Sequence, residues 1–197
     1  DHADPGCDLP HVVRRAAGIA PRAVGPAGQR LHELGQEAFD RMLAVNLTGV
    51  FLCLKHEVAQ MLAQGGGGAI VNTASIAGLI GLATSGHYVA AKHGVVGLTK
   101  SAAIEYAEDG IRVNCVNPGY ITTPMTKETV EERGEQILAK VPMRRMGIPG
   151  EIAEALDQVA RDLRIGESVR AGADAVNVQL HTRQAGYADA RRDDDVL

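Results

Sequence analysis

The sequence predicts one α/β domain built on a parallel sheet with helices on both faces. Two β-branched apolar runs, AIV at 69–71 and IRVNCV at 111–116, are typical of buried strands. Segments with helical periodicity precede and follow each run, and turns rich in glycine or proline separate them. Strands that alternate with helices in this way are joined by right-handed crossovers, so the strands should all run in one direction.

The first long helix is predicted between Phe39 and Met61, because apolar residues recur there at intervals of three or four. These positions are Phe39, Leu43, Leu47, Val50, Leu54, Val58 and Met61. Four glycines at 65–68 follow, and they permit the turn from the helix into the strand at 69–71. Nearer the N-terminus, HVV at 11–13 and AAG at 16–18 predict one further strand and its turn.

A second long helix is predicted from about His87 to Gly110, and the strand at 111–116 then ends at NPG. Two more helices are predicted at 127–140 and 150–164, with Pro142 and Pro149 as breaks between them. Parallel strands all end at the same edge of the sheet, where α/β proteins bind their ligands. The turns at 17–18, 72–75 and 117–119 should therefore lie side by side.

Composition excludes several classes of function. A net charge of −4 and only six aromatic residues give no basic or stacking surface for nucleic acid. No apolar run approaches the roughly 20 residues that cross a bilayer, so no membrane association is expected. Cys7, Cys53 and Cys115 are odd in number and scattered, which predicts reduced thiols and a cytoplasmic location. His87 and His93 lie in no ligand pattern, so no metal site is predicted.

Tyr88 and Lys92 are the most prominent candidates for chemistry. Residues four apart on a helix share one face, with Cβ atoms about 5–6 Å apart. A tyrosine with a pKa near 10 works near neutrality only if that pKa falls by roughly 2–3 units, and a nearby ammonium supplies part of the shift. Taken alone, the two could be an ordinary amphipathic pair whose polar ends reach water at the helix edge.

Four elements in a fixed order carry a family resemblance: an asparagine within AVNLTGVF, a serine thirteen residues before the tyrosine, YVAAK, and NPGYITT at 117–123. Through them, residues 36–156 resemble a classical short-chain dehydrogenase/reductase. The resemblance implies a Rossmann-like, doubly wound parallel sheet. It also implies hydride transfer between NAD or NADP and a small secondary alcohol or ketone.

The resemblance assigns the catalytic roles to Asn46, Ser75, Tyr88 and Lys92. Tyr88 would protonate the carbonyl oxygen or deprotonate the alcohol, and Lys92 would also bind the nicotinamide ribose. Ser75 would hold the substrate oxygen, and Asn46 would hold a water of the proton relay. Taken alone, Asn46 could simply cap or kink its helix, and Ser75 could be an N-cap. Besides Tyr88 and Lys92, the implied cofactor contacts are Ala17, Gly18, Thr73, Pro118, Gly119, Ile121 and Thr123.

Both flanks depart from the family pattern. No GxxxGxG or GxGxxG occurs, and the first strands of the family fold and the acidic residue that follows them are absent, so NAD and NADP are not distinguished. After Leu156 the last strand of the family is also missing, and the tail is polar. We therefore expect one domain with a divergent segment at 1–35, a catalytic core at 36–156 and a divergent, poorly ordered tail at 157–197.

These departures leave two interpretations of the chain open. One is an active oxidoreductase with an altered cofactor half. The other is a truncated or frame-altered, catalytically silent remnant that serves as a structural or dimerisation module. A homodimer or tetramer is expected, because the second long helix has small residues on which two copies could pack. These residues are Ala90, Ala91, Gly94, Gly97, Ala102 and Ala103.

Overall fold

A computed structural model of the chain describes residues 12–14, 29–124, 126–162 and 177–178. Within those residues, four strands form one parallel sheet in the order β1-β2-β3-β4. Their bounds are β1 Val12–Arg14, β2 Gly68–Thr73, β3 Ile111–Val116 and β4 Asn177–Val178. The parallel sheet and the α/β class are as the sequence predicts, and β3 has the predicted bounds.

Strand β4 is the clearest departure from expectation. The tail was expected to lack a last strand, yet Asn177 and Val178 pair with Cys115 and Val116 at the edge of β3. The polar composition of the whole tail hides a short alternating stretch, AVNV, which is enough for two residues of backbone pairing. The rest of the tail beyond residue 162 lies outside the described residues.

Helices cover both faces of the sheet. Their bounds are α1 Gln36–Leu43, α2 Gly49–Gln64, α3 Gly86–Glu105, α4 Lys127–Lys140 and α5 Pro149–Asp162. Helices α2 and α3 pack with the sheet around one apolar cluster, and α5 packs on Val71 and Val116 of the opposite face. Ile70 and Val71 point to opposite faces and are both fully buried, so β2 is covered on both sides. Each such side chain stabilises the fold by about 1.5–3 kcal/mol.

The first long helix is interrupted at its middle. Residues Ala44–Thr48 form a π-helical turn between α1 and α2, so one extra residue is inserted into the helical ladder. Among the described residues, the combined segment Gln36–Gln64 is one helix with the length and apolar composition of a membrane span. The sequence has no uninterrupted apolar run of this length, because Asn46, Lys55 and Glu57 lie within the segment. The helix is a candidate by its length and mean composition only. A helix that covers the core of a sheet can have the same length and apolar composition, and Val50 and Leu54 lie in that core.

The turn between α2 and β2 needs glycine for a specific reason. Gly65, Gly66 and Gly67 all have positive φ, between 70° and 84°. At Gly67 a Cβ atom would lie only 2.5 Å from the Gly110 carbonyl oxygen, at the start of β3. The two chain segments that feed β2 and β3 thus approach closely, as the glycine run predicts for a connector.

The small residues of α3 do not form one open face. Ala91 and Ala102 are buried inside the molecule, and a Cβ atom on Gly94 would lie 2.8 Å from the Leu47 side chain. Only Ala90 and Gly97 are exposed. The expectation of a small-residue contact surface is therefore wrong, because most of these positions serve the close packing of α3 on its own chain.

Candidate active site

Two loops meet at the carboxyl edge of the sheet. The Ala74 N–H donates to the Val116 carbonyl at 2.8 Å, and the Ile76 N–H donates to the Pro118 carbonyl at 2.9 Å. The residues after β2 and after β3 are thereby tied together, as the topology predicts. The third predicted turn, with Ala17 and Gly18, lies outside the described residues.

Ser75 is held between these loops and the start of α3. Its backbone is extended, and its Oγ accepts a hydrogen bond from the Ala77 N–H at 3.2 Å, which caps a short 3₁₀ turn at Ile76–Gly78. The same side chain forms a hydrogen bond with Tyr88. The N-cap interpretation of Ser75 is therefore confirmed, and the assignment of the substrate oxygen to Ser75 stays a prediction.

Lys92 is buried beneath this contact. Its side chain is only 1% exposed, so it does not reach water as an amphipathic pair would. The Nζ donates to the Thr73 carbonyl at 3.2 Å and lies 5.7 Å from the centroid of the Tyr88 ring. Tyr88 and Lys92 lie one turn apart on α3. Lys92 thus bonds the end of β2 and lies beside the Tyr88 ring, which is hydrogen-bonded to Ser75.

Burial dominates the electrostatics of this cluster. It lowers the pKa of Lys92 from 10.5 to about 8, because the ammonium loses hydration. Burial also raises the pKa of Tyr88, and the hydrogen bond with Ser75 opposes that rise. The prediction that Tyr88 has a lowered pKa is therefore wrong for this structure, because loss of hydration on burial outweighs the hydrogen bond with Ser75. Tyr88 is a neutral phenol at pH 7, which is the proton-donating form.

Asn46 lies at the centre of the π-helical turn and is 1% exposed. Its Nδ2 donates to the Met42 carbonyl at 3.3 Å, so the side chain bonds a backbone acceptor where the helical hydrogen bonds are interrupted. This fits the interpretation of Asn46 as a residue that kinks its helix. The turn packs against α3. Ser75 is hydrogen-bonded to Tyr88 and Lys92 lies beside the Tyr88 ring, whereas the hydrogen bonds of Asn46 go to Met42.

The segment after Pro118-Gly119 is ordered by residues that sequence reasoning missed. The Thr126 Oγ1 donates to the Ile121 carbonyl at 2.7 Å and accepts from the Thr123 N–H at 3.0 Å. Ile121 also pairs, as an isolated parallel bridge, with Gly147. The sequence features that could have indicated these contacts are the repeated threonines at 122–126 and the lone glycine before Pro149. Neither forms a periodic pattern that predicts a helix or a strand. Gly119 has open space around the position of a Cβ atom.

His87 and His93 both lie on α3. His87 is buried in α3, and the exposed His93 ring contacts the Val89 carbonyl at 3.0 Å. In the described part of the chain, no group of three or more His, Cys, Asp or Glu side chains could hold a metal ion.

Comparison with known proteins gives a consistent picture. The family model described as enoyl-(acyl carrier protein) reductase matches residues 7–165. Cyclohexanol dehydrogenase of Acinetobacter sp. (strain SE19) is 52% identical over 124 residues, which cover 63% of this chain and 48% of that protein. The chain spans about half the length of the curated relatives it matches.

Two solved structures are similar in fold to most of this chain. The structure of ElxO with NADP bound has a TM-score of 0.68 and 32% identity, over 77% of this chain and 60% of that one. NAD⁺-bound xylitol dehydrogenase has a TM-score of 0.69 and 30% identity, over 77% of this chain and 62% of that one. The parallel sheet described above is therefore part of a Rossmann-type α/β fold.

Proposed function

The chain belongs to the short-chain dehydrogenase/reductase family, and on that basis we propose that it transfers a hydride between NAD or NADP and a secondary alcohol or ketone. The observation that carries this proposal is the hydrogen bond between Tyr88 and Ser75 at the sheet edge, with the Lys92 Nζ 5.7 Å from the centroid of the Tyr88 ring. A phenol, a hydroxyl and an amine within reach of one another can act together on a single carbonyl oxygen.

The residues present fit the nicotinamide half of such a cofactor. An ammonium has three N–H donors, and Thr73 takes one of them from Lys92, which leaves donors for ribose hydroxyls. The open space at Gly119 permits a close approach of the ligand to the backbone. Ile121 and Thr123 would contact the carboxamide, and Pro118 would border the ring. Ala17 and Gly18 remain candidates outside the described residues.

Tyr88 is the proposed proton donor and acceptor. When bound, the nicotinamide supplies or takes the hydride at the carbonyl carbon. In reduction, the phenolic proton of Tyr88 passes to the carbonyl oxygen, and in oxidation the tyrosine takes the hydroxyl proton. Ser75 donates a hydrogen bond to the same oxygen and stabilises its developing negative charge. A neutral phenol at pH 7 suits the reductive direction, since the proton is already in place.

Asn46 is the proposed holder of a water that returns a proton toward Lys92. The π-helical turn places the Asn46 side chain inside the fold, where it is 1% exposed. The packing of this turn on α3 supports the proposal.

Cyclic secondary alcohols are the substrate class we propose. Cyclohexanol dehydrogenase and cis-4-hydroxycyclohexanecarboxylate dehydrogenase of Sinomonas cyclohexanicum, which is 47% identical over 152 residues, both carry such a substrate in their names. Cyclohexanol is therefore the first probe to use.

Cofactor titration tests the proposal before any substrate is known. The full chain is titrated with NADH and NADPH while fluorescence of the reduced nicotinamide is followed, for the wild type, Lys92→Met and the control Lys100→Met. We expect saturable binding of at least one cofactor to the wild type and to Lys100→Met, and weaker binding to Lys92→Met. Absence of binding at millimolar concentrations of both cofactors would contradict the oxidoreductase proposal.

The outer face of α2 and α3 is the proposed contact between two copies of the chain. Phe51 and Leu62 on α2 and Ile104 on α3 are 45–58% exposed, and a groove lined mainly by apolar side chains runs between the helices. Exposed apolar surface of this kind is typical of subunit interfaces.

A catalytically silent dimerisation module is the second candidate function, and this apolar face favours it. Sedimentation velocity of the wild type, Phe51→Glu and the control Ile148→Glu tests the contact. We expect a dimer that Phe51→Glu dissociates and Ile148→Glu leaves intact. A monomeric wild type would contradict the proposed interface and the silent-module candidate together. A dimer that binds neither cofactor would favour the silent module.

A further inference from the structure

Gly147 is the backbone partner of the segment that follows the Pro118-Gly119 turn. The Gly147 N–H donates to the Tyr120 carbonyl at 2.9 Å, and the Thr122 N–H donates to the Gly147 carbonyl at 2.9 Å. This is the pairing of a very short parallel ladder. Gly147 is buried, so its position determines where residues 120–122 lie.

One ion pair is bonded to the chain on both sides of Gly147. The Arg145 guanidinium contacts the Glu151 carboxylate through two bonds, Nη2 to Oε1 at 2.6 Å and Nη1 to Oε2 at 3.1 Å. Arg145 Nη1 also donates to the Met146 carbonyl at 3.1 Å. Glu151 Oε2 accepts from the Ile148 N–H at 2.9 Å. The residues immediately before and after Gly147 are therefore each hydrogen-bonded to one member of the pair.

The pair also connects Gly147 to the rigid part of the fold. Glu151 lies in the first turn of α5, where the helix dipole favours a carboxylate. Near the other end of α5, Val159 and Ala160 are buried against Val71 and Val116 of the sheet. A continuous set of contacts thus leads from the sheet through α5 and the ion pair to Gly147.

We infer that Arg145 and Glu151 are positioning residues that hold residues 120–122 in place through Gly147. This inference rests on the proposed function, in which Ile121 and Thr123 contact the nicotinamide carboxamide. The two charged side chains bond to each other and to the backbone beside Gly147. They thereby set the register of residues 120–122.

Hydrogen exchange tests the mechanical part of the inference without any cofactor. Amide exchange at Thr122 and Gly147 is measured by NMR in the full chain, with Val113 of β3 as the internal reference. In Arg145→Ala and Glu151→Gln we expect exchange at both amides to rise by roughly threefold or more, with Val113 unchanged. The control is Glu37→Gln, which breaks the exposed Glu37–Arg41 pair on α1. Unchanged exchange in both variants, or an equal rise in the control, would overturn the inference.

Ligand binding tests the functional part. NADH and ADP-ribose, which lacks the nicotinamide, are titrated into the wild type and Glu151→Gln. A displaced segment at 120–122 should weaken NADH roughly threefold or more and leave ADP-ribose unchanged. Equal weakening of both ligands would indicate general destabilisation and overturn the inference. If the wild type binds neither ligand, the proposed function fails, and the exchange experiment alone decides the role of the pair.

Arg145→Lys serves if Arg145→Ala does not fold. A lysine keeps the charge but cannot bond both carboxylate oxygens and the Met146 carbonyl in one plane. We expect exchange at Thr122 to rise in this variant too, and wild-type exchange there would count against the inference.

Discussion

Replacing Lys92 by methionine should stabilise the protein and abolish its proposed function. The side chain is 1% exposed, and burial lowers its pKa from 10.5 to about 8. At about 1.4 kcal/mol per pKa unit, the folded chain carries a cost of about 3 kcal/mol at pH 7 for a buried ammonium. Methionine removes that cost and keeps the buried stem. The lost hydrogen bond to the Thr73 carbonyl offsets about 1 kcal/mol, so the net gain is about 2 kcal/mol.

The sign of this effect changes with pH in a defined way. Between pH 8 and 10.5 the unfolded lysine binds more protons than the folded one, so wild-type stability rises with pH across that window. Lys92→Met lacks this contribution. Its advantage should therefore be present in full at pH 7 and fall to about zero near pH 10.

Urea unfolding followed by circular dichroism measures the difference at both pH values. The control is Lys100→Met, since Lys100 is exposed on the same helix, and it should change stability by less than about 0.5 kcal/mol at either pH. A stability difference between Lys92→Met and the wild type that is the same at pH 7 and pH 10 would refute the assignment of the cost to a buried charge. So would a less stable Lys92→Met variant at pH 7.

Three further predictions follow from local geometry. The Glu151 carboxyl should titrate with a pKa of about 2, because Arg145 and then the Ile148 N–H bond its charged form. In Arg145→Ala the NMR midpoint should rise toward 4.5, and an unmoved midpoint would refute that cause. The stabilisation that the Arg145–Glu151 pair gives the wild type is thus fully present above pH 4.5 and is lost as the pH falls through about 2. Gly67→Ala should cost about 2 kcal/mol more than Gly66→Ala in urea unfolding, since both have positive φ but only Gly67 faces a carbonyl at 2.5 Å. Equal costs would show that the Gly110 backbone yields. Ser75→Ala should lower turnover by about tenfold or more, while its thermal midpoint shifts by only a few degrees, because the lost 3₁₀ cap is worth about 1 kcal/mol. Unchanged turnover would remove Ser75 from the chemistry.

Most helices and strands can be predicted from the sequence, because each is determined by the pattern of residues within its own segment. The alternation in IRVNCV determines the bounds of β3, and the glycines at 65–68 determine where α2 ends. Strand β4 was missed because two residues of pairing depend on the edge of β3 rather than on a pattern of their own.

The sequence predicts which residues form the active-site cluster, but it does not predict the direction of their pKa shifts. Spacing predicts that Tyr88 and Lys92 share a face, and both lie at the end of β2. The direction of the Tyr88 pKa depends on how deeply the ring is buried, which spacing does not report. The Arg145–Glu151 pair was missed because its members lie in a loop and in the first turn of a helix, where no periodicity links them.

Cyclohexanol oxidation tests the central claim most directly. The rate at which reduced cofactor forms from cyclohexanol and saturating NAD⁺ or NADP⁺ is compared in the wild type, Tyr88→Phe and the control Tyr106→Phe. We predict measurable turnover in the wild type, a similar rate in Tyr106→Phe, and a rate lower by about a hundredfold or more in Tyr88→Phe. Equal rates in the wild type and Tyr88→Phe, with the fold intact, would contradict Tyr88 as the group that moves the proton.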